Sequence, residues 1–256
     1  SAPPASFARR LSAALPPMIR MGPLDADLLA SLRRRAPHDG MLERDEALWT
    51  LALHPDGESE VDVYVAMGTD GVEGYLALTP PRDGRLRVAD HCLPTAEAAA
   101  AAAGLLGSYR GRVERVAWSA APDDPLLHGL AEVGVVVEEW EEWMLSILDL
   151  PAALAARGYP VLAEGELLLK IDNSVSPQDD GCWQLTVSDG KGFVGVAKDA
   201  CASNIRLSAN TMAALYSGYI TPSAARRLRR IVADDRLVAT MTSVFSGGCP
   251  YFSDRF

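Results

Sequence analysis

The 256-residue chain has no run of about 20 apolar residues, so nothing in it reads as a membrane-spanning helix. Its four cysteines, Cys92, Cys182, Cys201 and Cys249, lie far apart and form no CxxC pair. That spacing suggests buried thiols rather than a zinc site or a disulfide scaffold. The four histidines, His38, His54, His91 and His128, are equally dispersed, so no metal site is expected. Positive charge is scarce: 24 Lys and Arg stand against 34 Asp and Glu, for a net charge of −10. Such a surface repels nucleic acid and anionic membrane and favours cationic partners. Arg9 and Arg10 precede an apolar stretch, but Pro3, Pro4, Pro16 and Pro17 interrupt it, so residues 1–19 do not read as a secretory signal. A cytoplasmic location is expected. No Walker motif, dinucleotide fingerprint, HExxH or GxSxG is found.

What is present is a core: 48% of the residues are hydrophobic, enough for one large domain or two of medium size. Residues 1–19 read as an Ala/Pro-rich arm or linker, with a short helix at Phe7–Leu15. Asp25 opens a helix through Leu28, Leu29 and Leu32. Asp25 and Asp27 sit at its positive end and Arg33, Arg34 and Arg35 at its negative end, as a helix dipole prefers. A turn at His38-Asp39-Gly40 leads to a second helix that carries Leu42, Leu48, Trp49 and Leu51. Val61, Val63 and Val65 then alternate as a strand, and Gly68-Thr69-Asp70-Gly71 turns it into a hairpin with Gly74–Leu78. Leu86 and Val88 mark a third strand. Thr95 caps an Ala-rich helix that allows close approach of a neighbour. Arg115–Trp118 reads as a strand and Leu126–Leu130 as a helix. Val133–Val137 is expected to rejoin the sheet. Glu138, Glu139, Glu141 and Glu142 surround Trp140 and Trp143, as ordinary strand surface with core Trp or as a seat for a polycation.

From about Pro151 a second part begins. Leu167, Leu169 and Ile171 form a strand, and Trp183–Val187 with Phe193–Val196 form a hairpin. Ser208 caps a helix that Gly218 ends. Thr221-Pro222 opens another, expected to carry Arg226, Arg227, Arg229, Arg230 and Ile231. The fold class is α+β. The tail, Gly247–Phe256, ends with Tyr251, Phe252, Asp254, Arg255 and Phe256. So many aromatics near an end suggest a tail that packs back. Two readings stay open: the tail covers a patch of core, or it holds the α-carboxylate of Phe256 in a cleft.

Met41–Trp49, Trp183 and the terminal Phe256 carry a resemblance. Leu28–Leu42, Asp149–Pro160, Leu167–Asp172, Gly181–Val187, Ser208–Gly218 and Tyr251–Phe256 follow in an order that resembles the Eis (enhanced intracellular survival) family of N-acetyltransferases. The resemblance implies a degenerate GNAT-like α/β domain at residues 20–149 and an α+β domain of sterol-carrier-protein-2 type at 150–256. It also implies acetyl transfer from acetyl-CoA to a cationic amine of aminoglycoside or lysine type, in a homo-oligomer such as a hexamer. The terminal carboxylate, here Phe256, is the implied general base. Tyr251, Phe252, Asp254 and Arg255 are the implied substrate neighbours. Nothing matches the family's first GNAT domain, where the CoA loop and the tyrosine acting as general acid belong, and Thr95–Gly111 lacks a pyrophosphate loop. This chain alone is therefore expected to bind no cofactor and to need the missing domain or a partner chain. Arg255 departs from the neutral or acidic neighbour expected beside the end, which leaves the amine substrate open. The alternatives are a non-catalytic module that binds a small molecule, or an oligomerisation piece.

Overall fold

The computed structural model describes residues 1–7, 17–22, 24–36, 40–54, 57, 61–130, 134–197 and 205–254. The expected helix beyond Phe7, the turn at His38 and Asp39, Cys201, Arg255 and Phe256 lie outside them. The chain divides into two compact units, Ser1–Glu141 with Tyr251–Phe256, and Glu142–Pro250.

The first unit is a five-stranded sheet in sequence order: β1 (Met18–Arg20), β2 (Asp62–Gly68), β3 (Gly71–Leu78), β4 (Arg85–Cys92) and β5 (Arg115–Ala117). Neighbours are antiparallel except β4 and β5, which run parallel and pair only at Arg85–Arg87. The crossover between those two is α3 (Ala96–Ser108), capped by Thr95, whose side chain accepts from Ala98 N at 3.0 Å. Ala98, Ala101, Ala102 and Leu106 are buried with Leu76 and Leu86 on one face of the sheet. The fit is close: a Cβ on Gly74 would stand 2.8 Å from Cys92 O and 2.9 Å from Ala98 Cβ. On the other face, α1 (Ala26–Arg35) and α2 (Glu46–Leu53) bury Leu29, Leu32, Trp49 and Leu53 against Val63, Val65 and Tyr75. Asp25 and Asp45 cap these helices, each accepting a backbone N–H at 2.9 Å.

Period-two alternation breaks at one place that matters. Leu78 pairs with Val88 and Ala77 with Asp90, so Ala89 is an extra residue in β4. Such a bulge re-aims the side chains beyond it. Leu86 and Val88 serve the α3 face, whereas Cys92 belongs to the α1/α2 core, and Asp90 joins it there by bonding to Tyr75.

The second unit has sheet order β10-β9-β6-β7-β8. The central β6 (Gly165–Asp172) pairs antiparallel with β7 (Gly181–Ser188) and parallel with β9 (Ile205–Ser208). The β7 hairpin partner is β8 (Lys191–Val196), and Ile231–Val232 is the short edge strand β10. In the hairpin turn Asp189 and Gly190 take φ of 50° and 74°, as a tight hairpin requires. Besides α4 (Pro125–His128) in the first unit, the helices are α5 (Leu150–Ala156), α6 (Ala209–Tyr216), α7 (Pro222–Arg227) and α8 (Asp235–Val244). Leu154, Leu167, Leu169, Leu185, Met212 and Met241 form the fully buried centre of this unit.

Three expectations change. The arm at residues 1–19 contributes to the fold: Ala2 and Phe7 are buried in the α3-side core, and Met18–Arg20 is an edge strand on β2. The helix expected to run to Ile231 stops at Arg227. Arg229 takes the left-handed conformation at φ 58°, which turns Ile231 into the core as β10. Residues 134–147 form no strand, with Trp140 71% and Met144 99% exposed. Alternation alone does not make a strand, because its backbone groups need a ladder partner. Val136 N bonds instead to Ser1 O at 2.8 Å.

Candidate functional site

The site lies in the first unit, around the re-aimed Asp90. Its Oδ2 accepts from Arg44 Nη1 at 2.5 Å and from the Tyr75 hydroxyl at 2.6 Å, and its Oδ1 accepts from Arg44 Nη2 at 3.2 Å. Arg33 Nη1 stands 3.6 Å from Oδ1. Burial by itself favours the neutral acid. The charges of Arg44 and Arg33, with the Arg44 and Tyr75 hydrogen bonds, outweigh it and hold the Asp90 carboxyl below its ordinary value. The same surroundings push the Tyr75 phenol well up, chiefly through burial and then through Asp90. Trp49 lies 4.8 Å from the Arg44 guanidinium, ring centre to carbon, and adds a cation–π contact.

The tail completes this cluster. Asp254 Oδ1 accepts from Arg44 Nε at 2.5 Å, Asp254 Oδ2 faces Arg33 Nη2 at 3.6 Å, and Ser253 Oγ lies 3.4 Å from Arg44 Nη2. Asp254 was expected beside substrate. It is instead 7% exposed, with its carboxylate committed to the two arginines. Tyr251 is half-buried, its phenol raised by burial and by the nearby Asp124 and Asp90 carboxylates, and Phe252 is half-buried.

Beside the cluster is a cleft of about 210 Å³ where β4 ends and the chain after β5 diverges from it. Its walls include Asp90, His91, Cys92, Asp124, Tyr251 and Ser253. His91 Nε2 lies 2.8 Å from Asp124 Oδ2, while Asp124 Oδ1 caps α4 by accepting from Leu126 N at 2.8 Å. Burial disfavours a charged His91, but the Asp124 hydrogen bond and charge, helped by Asp90, raise it above its ordinary value. The Cys92 thiol is pushed up to about 12 by burial and Asp90.

Acetyl-CoA would need a seat for its diphosphate, and the start of a helix after a parallel strand is the usual one. At α3 that place does not fit. Pro94 has no N–H to offer, the Thr95 side chain takes Ala98 N, and Thr95 Oγ1 donates to Glu73 Oε2 at 3.2 Å. A carboxylate thus stands where an anion would have to bind. Among the described residues, no three His, Cys, Asp or Glu side chains gather as a metal site.

Sequence reasoning named Tyr251, Phe252 and Asp254, and the structure brings Tyr251 and Asp254 to this cluster. It read Arg33 with Arg34 and Arg35 as a charged helix end. Only Arg33 of the three is buried, while Arg34 pairs with Glu43 at the surface. Arg44, Asp90 and Asp124 went unnamed, and His91 was named only as one of four dispersed histidines. The available signal was an acid, Asp90, set among apolar strand residues.

Residues 40–147 match the acetyltransferase (GNAT) domain, and residues 150–253 match the sterol carrier protein domain. The N-acetyltransferase Eis of Mycobacterium bovis (strain BCG / Pasteur 1173P2) is 30% identical over 145 residues, which are 54% of this chain and 33% of that protein. The match thus spans about a third of the length of the curated relatives. A GCN5-related N-acetyltransferase from Anabaena variabilis superimposes with a TM-score of 0.89 at 23% identity, covering 100% of this chain and 66% of that one. Eis1 from Mycobacterium abscessus does so with a TM-score of 0.73 at 21% identity, covering 100% and 66%. The chain therefore carries a GNAT-type domain followed by a sterol-carrier-type domain and is similar to the Eis N-acetyltransferases.

Proposed function

We propose that this pairing of a GNAT-type and a sterol-carrier-type domain is the rear part of an acetyl-CoA-dependent amine N-acetyltransferase, to which it brings a substrate wall and a chain-end base. The observation that carries the reading is the buried ion pair between Asp254 and Arg44, two residues before Phe256, whose carboxylate the reading makes the base. A frayed end would offer no defined group; an end tied down this near its carboxylate can offer one. In this reading the Phe256 carboxylate takes a proton from the substrate ammonium or attacking amine, directly or through one water. Tyr251, Phe252 and Arg255 stand on the substrate side, and Asp254 is the tether. The misfit at α3 supports a cofactor seat on another domain. A net charge of −10 supports a cationic amine, of aminoglycoside or lysine type.

The test is acetyl transfer by the complete protein with three residues added after Phe256. Turnover should fall at least tenfold with the circular dichroism spectrum unchanged. Unchanged kcat removes the base role. The exposed side chains of Trp140, Met144 and Leu148 favour a homo-oligomer. Light scattering at micromolar concentration should give a multiple of the monomer mass, and a monomer alone would end that part of the proposal.

A further inference from the structure

The cleft of the first unit is lined by Asp90, Asp123 and Asp124, yet the two buried acids have no free oxygen to offer a ligand. Both oxygens of Asp90 accept from Arg44, and Oδ2 accepts from Tyr75 as well. Asp124 Oδ1 accepts from Leu126 N and Leu127 N at 2.8 and 3.3 Å, and its Oδ2 meets His91 Nε2 at 2.8 Å. Asp123 is exposed, so water and salt screen its charge.

Two nitrogens on the same wall are placed differently. The His91 side chain is 9% exposed, and its second ring nitrogen, Nδ1, has no partner among the described residues. Nδ1 is not sealed in the core either, so what reaches it comes through the cleft. Arg33 Nη2 is a buried donor without an acceptor: Asp254 Oδ2, which it faces, stands 3.6 Å away. Met41, Leu93, Ala121 and Pro125 make the rest of the wall apolar. An apolar cavity of about 150 Å³ holds a benzene ring. The cleft, at about 210 Å³, has room for a ring and a carboxyl group.

We propose that this cleft binds a small organic acid, whose apolar body lies against Met41 and Leu93 and whose carboxylate accepts from His91 Nδ1. The site needs no step of the acetyl transfer described above. Asp124 decides which nitrogen faces the ligand, because its bond to Nε2 leaves Nδ1 open. Protonated, His91 presents an N–H and a positive charge there. Neutral, it keeps its hydrogen on Nε2 for Asp124 and presents a lone pair, which repels a carboxylate. The charged groups acting on His91 are Asp124, Asp90 and Arg33, and the Tyr251 phenol and Asp123 share the cleft wall. With His91 charged, three cations (Arg33, Arg44, His91) face three carboxylates (Asp90, Asp124, Asp254). With His91 neutral, one carboxylate is in excess and an anion is repelled. Binding and protonation of His91 therefore support each other.

The experiment is titration of the complete protein with sodium benzoate. NMR follows the His91 Cε1 proton, and calorimetry in two buffers of different ionisation enthalpy counts protons. At pH 6 the His91 signal should move saturably. Affinity should fall about tenfold per pH unit above the folded value of His91, with up to about one proton taken up per benzoate. Benzylamine, of opposite charge, should leave the signal in place. His91→Gln keeps a donor for Asp124 and removes the charge; by calorimetry it should bind benzoate roughly tenfold more weakly at pH 6 and without pH dependence. No saturable shift up to about 50 mM benzoate overturns the site. A shift with benzylamine in place of benzoate overturns the carboxylate class, and parent-like binding by His91→Gln overturns the role of His91. The titrations of the parent protein decide the matter if that variant does not fold.

Discussion

Tyr75 on β3 donates its phenolic hydrogen to Asp90 on β4 across 2.6 Å, with both groups buried. The bond links the sheet to the two arginines and, through Arg44, to the tail. Tyr75→Phe removes the donor and leaves the ring. Hydrogen bonds to charged groups contribute about 1.5–3 kcal/mol, so urea denaturation should show a loss of that order. No loss would mean that the arginines alone satisfy Asp90.

His91 and Asp124 make a pH-dependent pair. Burial opposes the imidazolium, but Asp124 and Asp90 outweigh it and raise the folded-state value above 6.5. A raised value stabilises the fold fully below the unfolded value, and the contribution is lost as pH rises through the folded one. The melting temperature should therefore decline from just above pH 6 upward, and Asp124→Asn should flatten that decline. NMR titration of His91 should give a value above 6.5; a lower one would contradict the pairing.

Cys92 and Cys249 should differ in reactivity. Cys92 is buried, with its thiol pushed up to about 12, and Cys249 is exposed. At pH 8, iodoacetamide should modify Cys249 in the native protein and reach Cys92 only after unfolding, because the thiolate is the nucleophile. Peptide mass spectrometry showing early labelling of Cys92 would mean that its core opens readily.

Gly74→Ala should damage the first unit. The new Cβ would meet Cys92 O and Ala98 Cβ at 2.8 and 2.9 Å, so β3 and α3 would have to separate. Overpacking of this kind costs about 1–3 kcal/mol. Thermal melting is the measure, and a neutral effect would show that α3 shifts freely.

Helix starts and the main hairpins were legible because their causes are local. Asp25, Thr95 and Ser208 each accept a backbone N–H three residues on, and alternation marked β2, β6 and β7; the start of α2 was missed, because Leu42 lies before its cap Asp45. The site was legible only at the tail, where aromatics and an acid at a chain end stand out. The Arg226–Arg230 run misled because helical spacing cannot show that Arg229 turns left-handed. The Val133–Val137 and Glu138–Glu142 readings misled because a strand depends on a neighbour elsewhere, and residues 134–147 form none.

By itself, the amino-acid order determined most helix starts and hairpins, the excess of acidic residues, and the aromatic character of residues 247–256. Only the tertiary structure decided that Asp90 sits with Arg33, Arg44 and Asp254. That grouping depends on one extra residue, Ala89, in a strand ladder and on pairings across 46 and 210 positions. Caps and periodicity act over a few bonds, whereas buried charges are matched by whichever chain segments the fold brings within about 3 Å.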